Sequence, residues 1–396
     1  MDVVRLDGDT YLPNGLVEGY NSMIWTERYQ KNGDFEMHTP NIEKMKIFLP
    51  EGSYISLLDS EEVMRVETHE IQVNSAGVPE LTVTGRTFET FLENRIALNT
   101  YGAPWKAVWE YTIYEIVALI LWQYLVYEGD QDVTITDGLK DPNTSISNLI
   151  TTLTTDISVW DPETDTFSIP SQEWWLDEGD LYKPFLDFLT LSGLGYRNIR
   201  PSGTTAKHIE FNSTVGLGRG MSIIEEWVDI SQLRLDVYSG LDRSRFQSDR
   251  EPVIFHYDSG HIENPKYLFS ISDWKNVATV SSSIGRVDVG DTAASGVDRR
   301  ILFVDGGSLG DLDYDEFSAS LTQKGLIELA KHNKAIVFDG AISPISQYKY
   351  GSQYFLGDTV TLLAQYGFES TMQVAEYIRT EDQAGDRGYP TLTFFE

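Results

Sequence analysis

Between Ser22 and Arg95, short runs of alternating apolar and polar residues follow one another with turn-forming residues between them, a pattern that half-buried strands produce. The stretch opens Ser22-Met-Ile-Trp-Thr-Glu-Arg-Tyr-Gln-Lys-Asn-Gly-Asp-Phe-Glu. Asn32-Gly33-Asp34 predicts a hairpin, because Asn and Gly tolerate the positive φ of a tight primed turn. Pro50-Glu51-Gly52 predicts a second turn. Tyr54-Ile-Ser-Leu-Leu, Val63 to Val73 and Leu81-Thr-Val-Thr read as strands, and Gly85 to Arg95 reads as a closing helical turn. The expectation is a small β-barrel or sandwich built to join other chains.

With 396 residues and 41% hydrophobic content, the chain is long enough for two to four domains with their own cores. It has no Cys, which excludes disulfides, zinc-thiolate sites and a cysteine nucleophile. Thirty basic against 61 acidic residues give a net charge of −31, which opposes binding to a phosphate backbone. Such acidity suits either a conduit that lets DNA slide or simple solubility. The start, Met1-Asp-Val-Val-Arg-Leu-Asp-Gly-Asp, lacks the basic and apolar regions of a secretory signal. Tyr111 to Tyr127 is the one membrane candidate, but Glu115 and Gln123 interrupt it and it falls short of the ~20 residues that span a bilayer. No stable membrane span is expected.

Pro104 stands where a helix over Trp105 to Tyr127 would begin, with Trp105, Trp109, Ile113, Ile116, Ile120 and Tyr124 on one face. That face is read as intramolecular core, with a neighbouring subunit as the alternative. Asp130 to Pro170 reads as a surface excursion with a short helix at Ile146 to Leu153. Trp174-Trp175 are core or interface anchors, and Tyr182 to Leu191 predicts a helix that stops at Gly193 and Gly195. Strands are predicted at Tyr196 to Arg200, Lys207 to Phe211, Leu233 to Tyr238, Pro252 to Tyr257, Asn276 to Ser281 and Arg300 to Val304. After a helix over Phe317 to His332, a meander of Ala335 to Phe338, Asp358 to Leu363, Met372 to Ile378 and Thr391 to Phe395 suggests a second barrel.

Short motifs recur in order along most of the chain: Trp25-Thr-Glu-Arg-Tyr29, Gly33-Asp-Phe-Glu36, Thr82-Val-Thr-Gly-Arg86, Gly195-Tyr-Arg197, Tyr238 to Arg243 with Pro252 to Phe255, Asn276-Val-Ala278, Asp298-Arg-Arg300, Leu321 to Gly325, Tyr348-Lys-Tyr-Gly351, Leu356-Gly-Asp358 and Tyr389 to Thr393. In these the chain resembles the siphophage Gp37-like tail proteins. The resemblance implies a β-rich α+β fold with two hub-type β-barrels near the chain ends and an inserted helical and mixed region. Its division would be an N-terminal barrel at 1–100, a mainly helical insertion at 101–195, a mixed α+β region at 196–334 that lends strands to the hub, and a C-terminal barrel at 335–396. It implies a structural subunit of the tail-tip or baseplate hub, assembled in the bacterial cytoplasm and residing in the virion. Its partners would be two further copies in a homotrimer, the tail tube and distal tail proteins, and other tip or fibre proteins, with DNA passing unbound. Trp25, Arg28, Tyr29 and Phe35 are the candidate subunit-interface residues, and Trp25, Glu27, Arg28 and Tyr29 read as the fixed entry strand of a ring-forming hub.

Nothing catalytic competes with that reading. Val215-Gly-Leu-Gly-Arg-Gly220, followed by Met221 to Val228, which reads as a helix, imitates a dinucleotide fingerprint but has Met221 where the last Gly belongs. Asp311, Asp313 and Asp315 alternate as at the start of a calcium loop, yet Glu316 replaces the central Gly and Thr322 the closing Glu. An EF-hand is rejected, leaving a weak cation site or an acidic helix start. His38, His69, His208, His256, His261 and His332 show no metal-ligand spacing. Neither a cofactor nor a metal is expected, and the chain is read as no enzyme. It ends just after Tyr389 to Phe395, which leaves no room for the lytic domain that some tail-tip proteins carry. A carbohydrate-binding tail module, using nine Trp and 21 Tyr as sugar platforms, is the alternative, with a cell-wall hydrolase behind it.

Overall fold

The computed structural model describes residues 1–73, 77–94, 96–97, 105–107, 149–154, 160–161, 166–167, 174–176, 179–180, 182–200, 205–211, 221–229, 233–283, 285–307, 314–342, 347–363, 369–383 and 385–394. Its first strands are β1 (Val3–Leu6), β2 (Pro13–Leu16), β3 (Ser22–Arg28) and β4 (Asp34–Thr39). Helix α1 (Ile42–Phe48) precedes β5 (Tyr54–Leu57), β6 (Met64–Val73) and β7 (Pro79–Thr87), and a 3-10 turn (Phe88–Asn94) ends the unit. The strands lie side by side in the order β2-β1-β5-β6-β7-β4-β3, every pair antiparallel.

The alternation read in the sequence is the packing itself. Met23 and Trp25 of β3, Phe35 and Met37 of β4, Ile55 and Leu57 of β5, and Leu81 and Val83 of β7 point into one core, which Met45 and Leu49 at α1 cover. The Pro50–Gly52 turn forms, with Ser53 N–H bonded to Pro50 O at 3.0 Å. The β3–β4 connection differs from expectation, for it spans five residues and Gly33 does not take a positive φ. Glycine is required there by close approach, since a Cβ would sit 2.4 Å from the Thr26 carbonyl oxygen.

A second unit uses strands Ile254–His256, Ile262–Ser270, Ala335–Ile342, Thr359–Leu363, Glu369–Asp382 and Gly385–Phe394. Its core gathers Phe255, Phe338, Tyr354, Leu356, Val360, Leu362, Met372, Val374 and Leu392. The two units are one sheet of 13 strands, because β3 pairs directly with Glu369–Asp382. Among the described residues this sheet is open, running from β2 at one end to Ile262–Ser270 at the other. Where two hub-type barrels are expected, the described residues show two cores on one continuous sheet and no closed barrel.

Inserted in sequence within the second unit, a third core forms where the sheet Val277–Ser282, Arg286–Gly290 and Ile301–Gly307 packs Ala278, Val280, Val289 and Val304 against Phe317 and Leu321 of the helix Tyr314–Ala330. The helix Tyr182–Ser192 is as expected, and Lys331 ties it to this third unit through an ion pair with Asp187 at 2.9 Å.

Three helical expectations give way to strands. Leu149–Thr154 runs parallel to Leu233–Tyr238, Met221–Asp229 forms a hairpin with Thr205–Phe211, and Trp105–Ala107 pairs with Trp174–Leu176. The first two segments are rich in Thr, Ile, Val and Trp, whose branched or bulky side chains favour a pleated strand over a helix turn. The remainder of the expected Trp105–Tyr127 helix, Gly216 to Gly220, and Asp311 with Asp313 lie outside the described residues. Among the described residues no helix is long and apolar enough to cross a membrane.

Candidate assembly site

The place where the two halves of the sheet meet is built by β3 and the long strand Glu369–Asp382. One edge of that strand serves two partners in turn. Glu369 to Gln373 pair with Thr359–Leu363 of the second unit, and Glu376 to Glu381 pair with Arg28 to Met23 of the first. A bulge between Val374 and Glu376 marks the changeover, and the carbonyl of Ala375 accepts the Tyr29 N–H at 2.9 Å. A bulge leaves one residue out of the ladder and bends the strand, which lets the edge change neighbours without losing that bond.

Tyr29 follows β3 and is buried at this crossing. Its hydroxyl donates to the Gly193 carbonyl at 2.8 Å, with the Tyr238 carbonyl at 3.2 Å, and accepts the Gly240 N–H at 3.2 Å. Its own carbonyl accepts the Tyr196 N–H at 3.1 Å. Its ring meets Tyr238 edge-on at 5.4 Å. Two glycines make room for the ring: a Cβ on Gly195 would lie 2.1 Å from it, and one on Gly357 would lie 2.3 Å away at a φ of +84°.

Two carboxylates are buried beside this crossing. Glu27 is 3% exposed; its Oε1 accepts from Trp25 Nε1 at 3.0 Å and Ser60 Oγ at 2.6 Å, and its Oε2 accepts from Tyr350 OH at 2.7 Å. Trp25 and Ser60 belong to the first unit and Tyr350 to the second, so one charge is satisfied from both sides. Burial, and then the Glu27 charge, push the Tyr350 phenol well above its usual range. The Tyr350 ring stacks on Tyr377 at 3.9 Å, and burial raises the Tyr377 phenol to about 12.

Asp358 accepts from Leu241 N–H at 2.8 Å, Phe355 N–H at 3.0 Å and Arg243 Nε at 2.6 Å. Burial raises its carboxyl above the ordinary range, opposed by the Leu241 N–H and the Arg243 charge. Nearer the surface, Arg28 joins Asp34 and, at 2.7 Å, Glu376; Arg379 joins Asp59 at 2.6 Å. Both guanidiniums bridge the two halves.

Motifs far apart in sequence thus converge: Trp25 to Tyr29, Gly195-Tyr196, Tyr238 to Arg243, Tyr350 and Leu356 to Asp358. A family's sequence model, that of the Siphovirus ReqiPepy6 Gp37-like protein, matches residues 4–390. The chain belongs to that family. Its fold is similar to that of a 43 kDa tail protein of prophage MuSo2 from Shewanella oneidensis, with a TM-score of 0.52 and 12% identity over 99% of this chain and 97% of that one. The tail protein from Neisseria meningitidis MC58 is equally similar, at a TM-score of 0.52 and 11% identity over 99% and 96% of the two chains. No curated protein matches the sequence.

Of the four residues expected at a subunit interface, three are packed inside this chain and one forms ion pairs within it. Trp25 and Phe35 fill the first core, their rings 6.2 Å apart, and Tyr29 belongs to the second. All three are buried within the chain. Arg28 is the partly exposed one, and its partners are intramolecular. Ser60, Glu376 and Arg379 were not singled out in the sequence, since a serine after a turn and charges on a strand look like any solvated position. Among the described residues no group of acids and histidines is placed to hold a metal ion.

Proposed function

We propose that this chain is a structural subunit of the tail tip of a long-tailed phage, a baseplate hub protein that joins the tail tube to the tip and frames the DNA exit channel. Three copies would form the hub, each lending two β units to a ring that meets a hexameric tube. The observation that carries this reading is the long strand Glu369–Asp382, which holds two separate cores on one sheet and so fixes two β units in each copy. Family membership and the fold shared with two tail proteins support it. The net charge of −31 suits a channel wall that does not retain phosphates.

Mass spectrometry of purified virions, with gold-labelled antibody against the chain, tests the proposal. Label confined to the distal end of the tail is expected. Absence from virions, or label along the whole tube, overturns it. Turnover of purified peptidoglycan by the isolated chain would instead establish a hydrolase.

A further inference from the structure

A chain with 61 acidic and 30 basic residues repels its own copies over most of its surface, so copies meet where carboxylates do not dominate. One such stretch is Lys266 to Gly307, with five basic and five acidic residues on a chain that is otherwise strongly acidic. It also shows large apolar side chains to solvent: Phe269 and Ile271 are each 56% exposed, Ile301 49% and Phe303 71%. These belong to neighbouring backbone, since the guanidinium of Arg300, next to Ile301, donates to the Ile271 carbonyl. Arg300 and Lys334 both lie over the Trp274 ring, at 5.5 and 4.6 Å.

The two edges of the three-stranded sheet are treated differently. Arg286–Gly290 presents Arg286 and Asp288, charges of the kind that discourage another strand from pairing. Ile301–Gly307, the opposite edge, presents Ile301 and Phe303, with Asp305 exposed beyond them. Exposed Ile301 and Phe303 beside the cations Arg300 and Lys334, on an otherwise acidic molecule, give an apolar contact with a charge match to that molecule's own surface.

We infer that the Ile301–Gly307 edge, together with Phe269 and Ile271 beside it, is the face on which a second copy of this chain docks. The inference rests on the reading of the chain as a self-assembling hub subunit and assigns the surface that reading leaves open. Docking buries Phe303 against an acidic face of the neighbouring copy, and Arg300 and Lys334 supply the charge match.

The test is the mass of the purified full-length chain by light scattering, with Phe303→Asp as the disrupting variant and Ile47→Asp, at a 78% exposed position on α1, as the control. Wild type and Ile47→Asp are expected as oligomers, and Phe303→Asp as a 44.8 kDa monomer with an unchanged circular dichroism spectrum. Because the chain has no Cys, Phe303→Cys and Ile47→Cys give single-site probes; maleimide should label Ile47→Cys at least tenfold faster in the oligomer. A Phe303→Asp oligomer of wild-type mass, equal labelling at both sites, or a wild type that stays monomeric when concentrated overturns the inference. The last result, combined with detection of the chain at the tail tip, would refute this face and leave the proposed function standing.

Discussion

The two cores of the large sheet are assembled in different ways. Every residue of the first lies between Val3 and Val83, an unbroken stretch of sequence. The second collects residues from Tyr238 to Leu392 and also takes Tyr29, which the first unit's own strand delivers. The first core therefore needs only local sequence, whereas the second needs the first to be in place. Neighbouring strands in sequence close with short loops, while contacts hundreds of residues apart carry a larger ordering cost before they contribute. Losing a junction residue should thus disturb the second core and spare the first, whereas losing a residue of the first core should disturb both.

Tyr29→Ala is the strongest challenge to this difference. Deleting a buried aromatic ring costs about 3–5 kcal/mol, and this one also leaves the Gly240 N–H without its acceptor. Hydrogen exchange should show protection lost in Ile254–His256, Thr359–Leu363 and Glu369–Asp382 while β5 to β7 stay protected. Equal loss in both units would mean that they fold as one and that the asymmetry is not real. Trp25→Ala is the matching change in the first core, also at about 3–5 kcal/mol by the same reasoning. It removes a donor to Glu27 as well, so deprotection should begin in β3 to β7 and spread to the second unit. Damage confined to the second unit would reverse the dependence argued above.

The same asymmetry governs how much was legible in the sequence. Strand β7 and the start of β6 followed from alternation because Leu81, Val83, Met64 and Val66 are buried while the residues between them are not, whereas β5 and Thr359–Leu363 were legible as apolar runs although three consecutive residues of each are buried. The strand Ile262–Ser270, with Pro265 inside it and a bulge between Glu263 and Lys266, lacks a clean alternation and was not anticipated. Residues 221–228 misled because Ile223, Ile224, Trp227 and Val228 also fit a helical spacing. The aromatic opening at Trp25 to Phe35 was legible as important, but period-two alternation shows only that Met23 shares a face with Trp25 and Phe35 with Met37, not which partner covers either face. Nor does sequence indicate that Glu27 finds Ser60 and Tyr350, since the pairing that brings them together spans more than 300 residues.

Tyr350→Phe sharpens the comparison at smaller cost. It keeps the ring stacked on Tyr377 and removes one donor from a buried carboxylate, a loss of about 1–3 kcal/mol. Chemical denaturation should show a reduced midpoint with unchanged slope. If Glu27→Gln were to weaken the protein no further in the Tyr350→Phe background, while doing so alone, the two would form one coupled unit across the junction.

The smallest effect expected is a pH dependence that belongs to the second unit. Asp358 has its folded pKa raised by burial, so the folded state holds this proton more tightly than the unfolded chain. Its contribution to stability is greatest below the ordinary carboxyl range and falls as pH rises through the raised folded value. Asp358→Asn removes that titration while retaining an acceptor for the Leu241 N–H, although it weakens the partner of Arg243. Wild type should therefore lose stability relative to Asp358→Asn as pH rises from about 3.8 toward neutrality, where 3.8 is the ordinary value. A difference that stayed flat across this interval, measured by urea denaturation at each pH, would mean that the Leu241 and Arg243 contacts cancel the burial and that the second core carries no titrating strain.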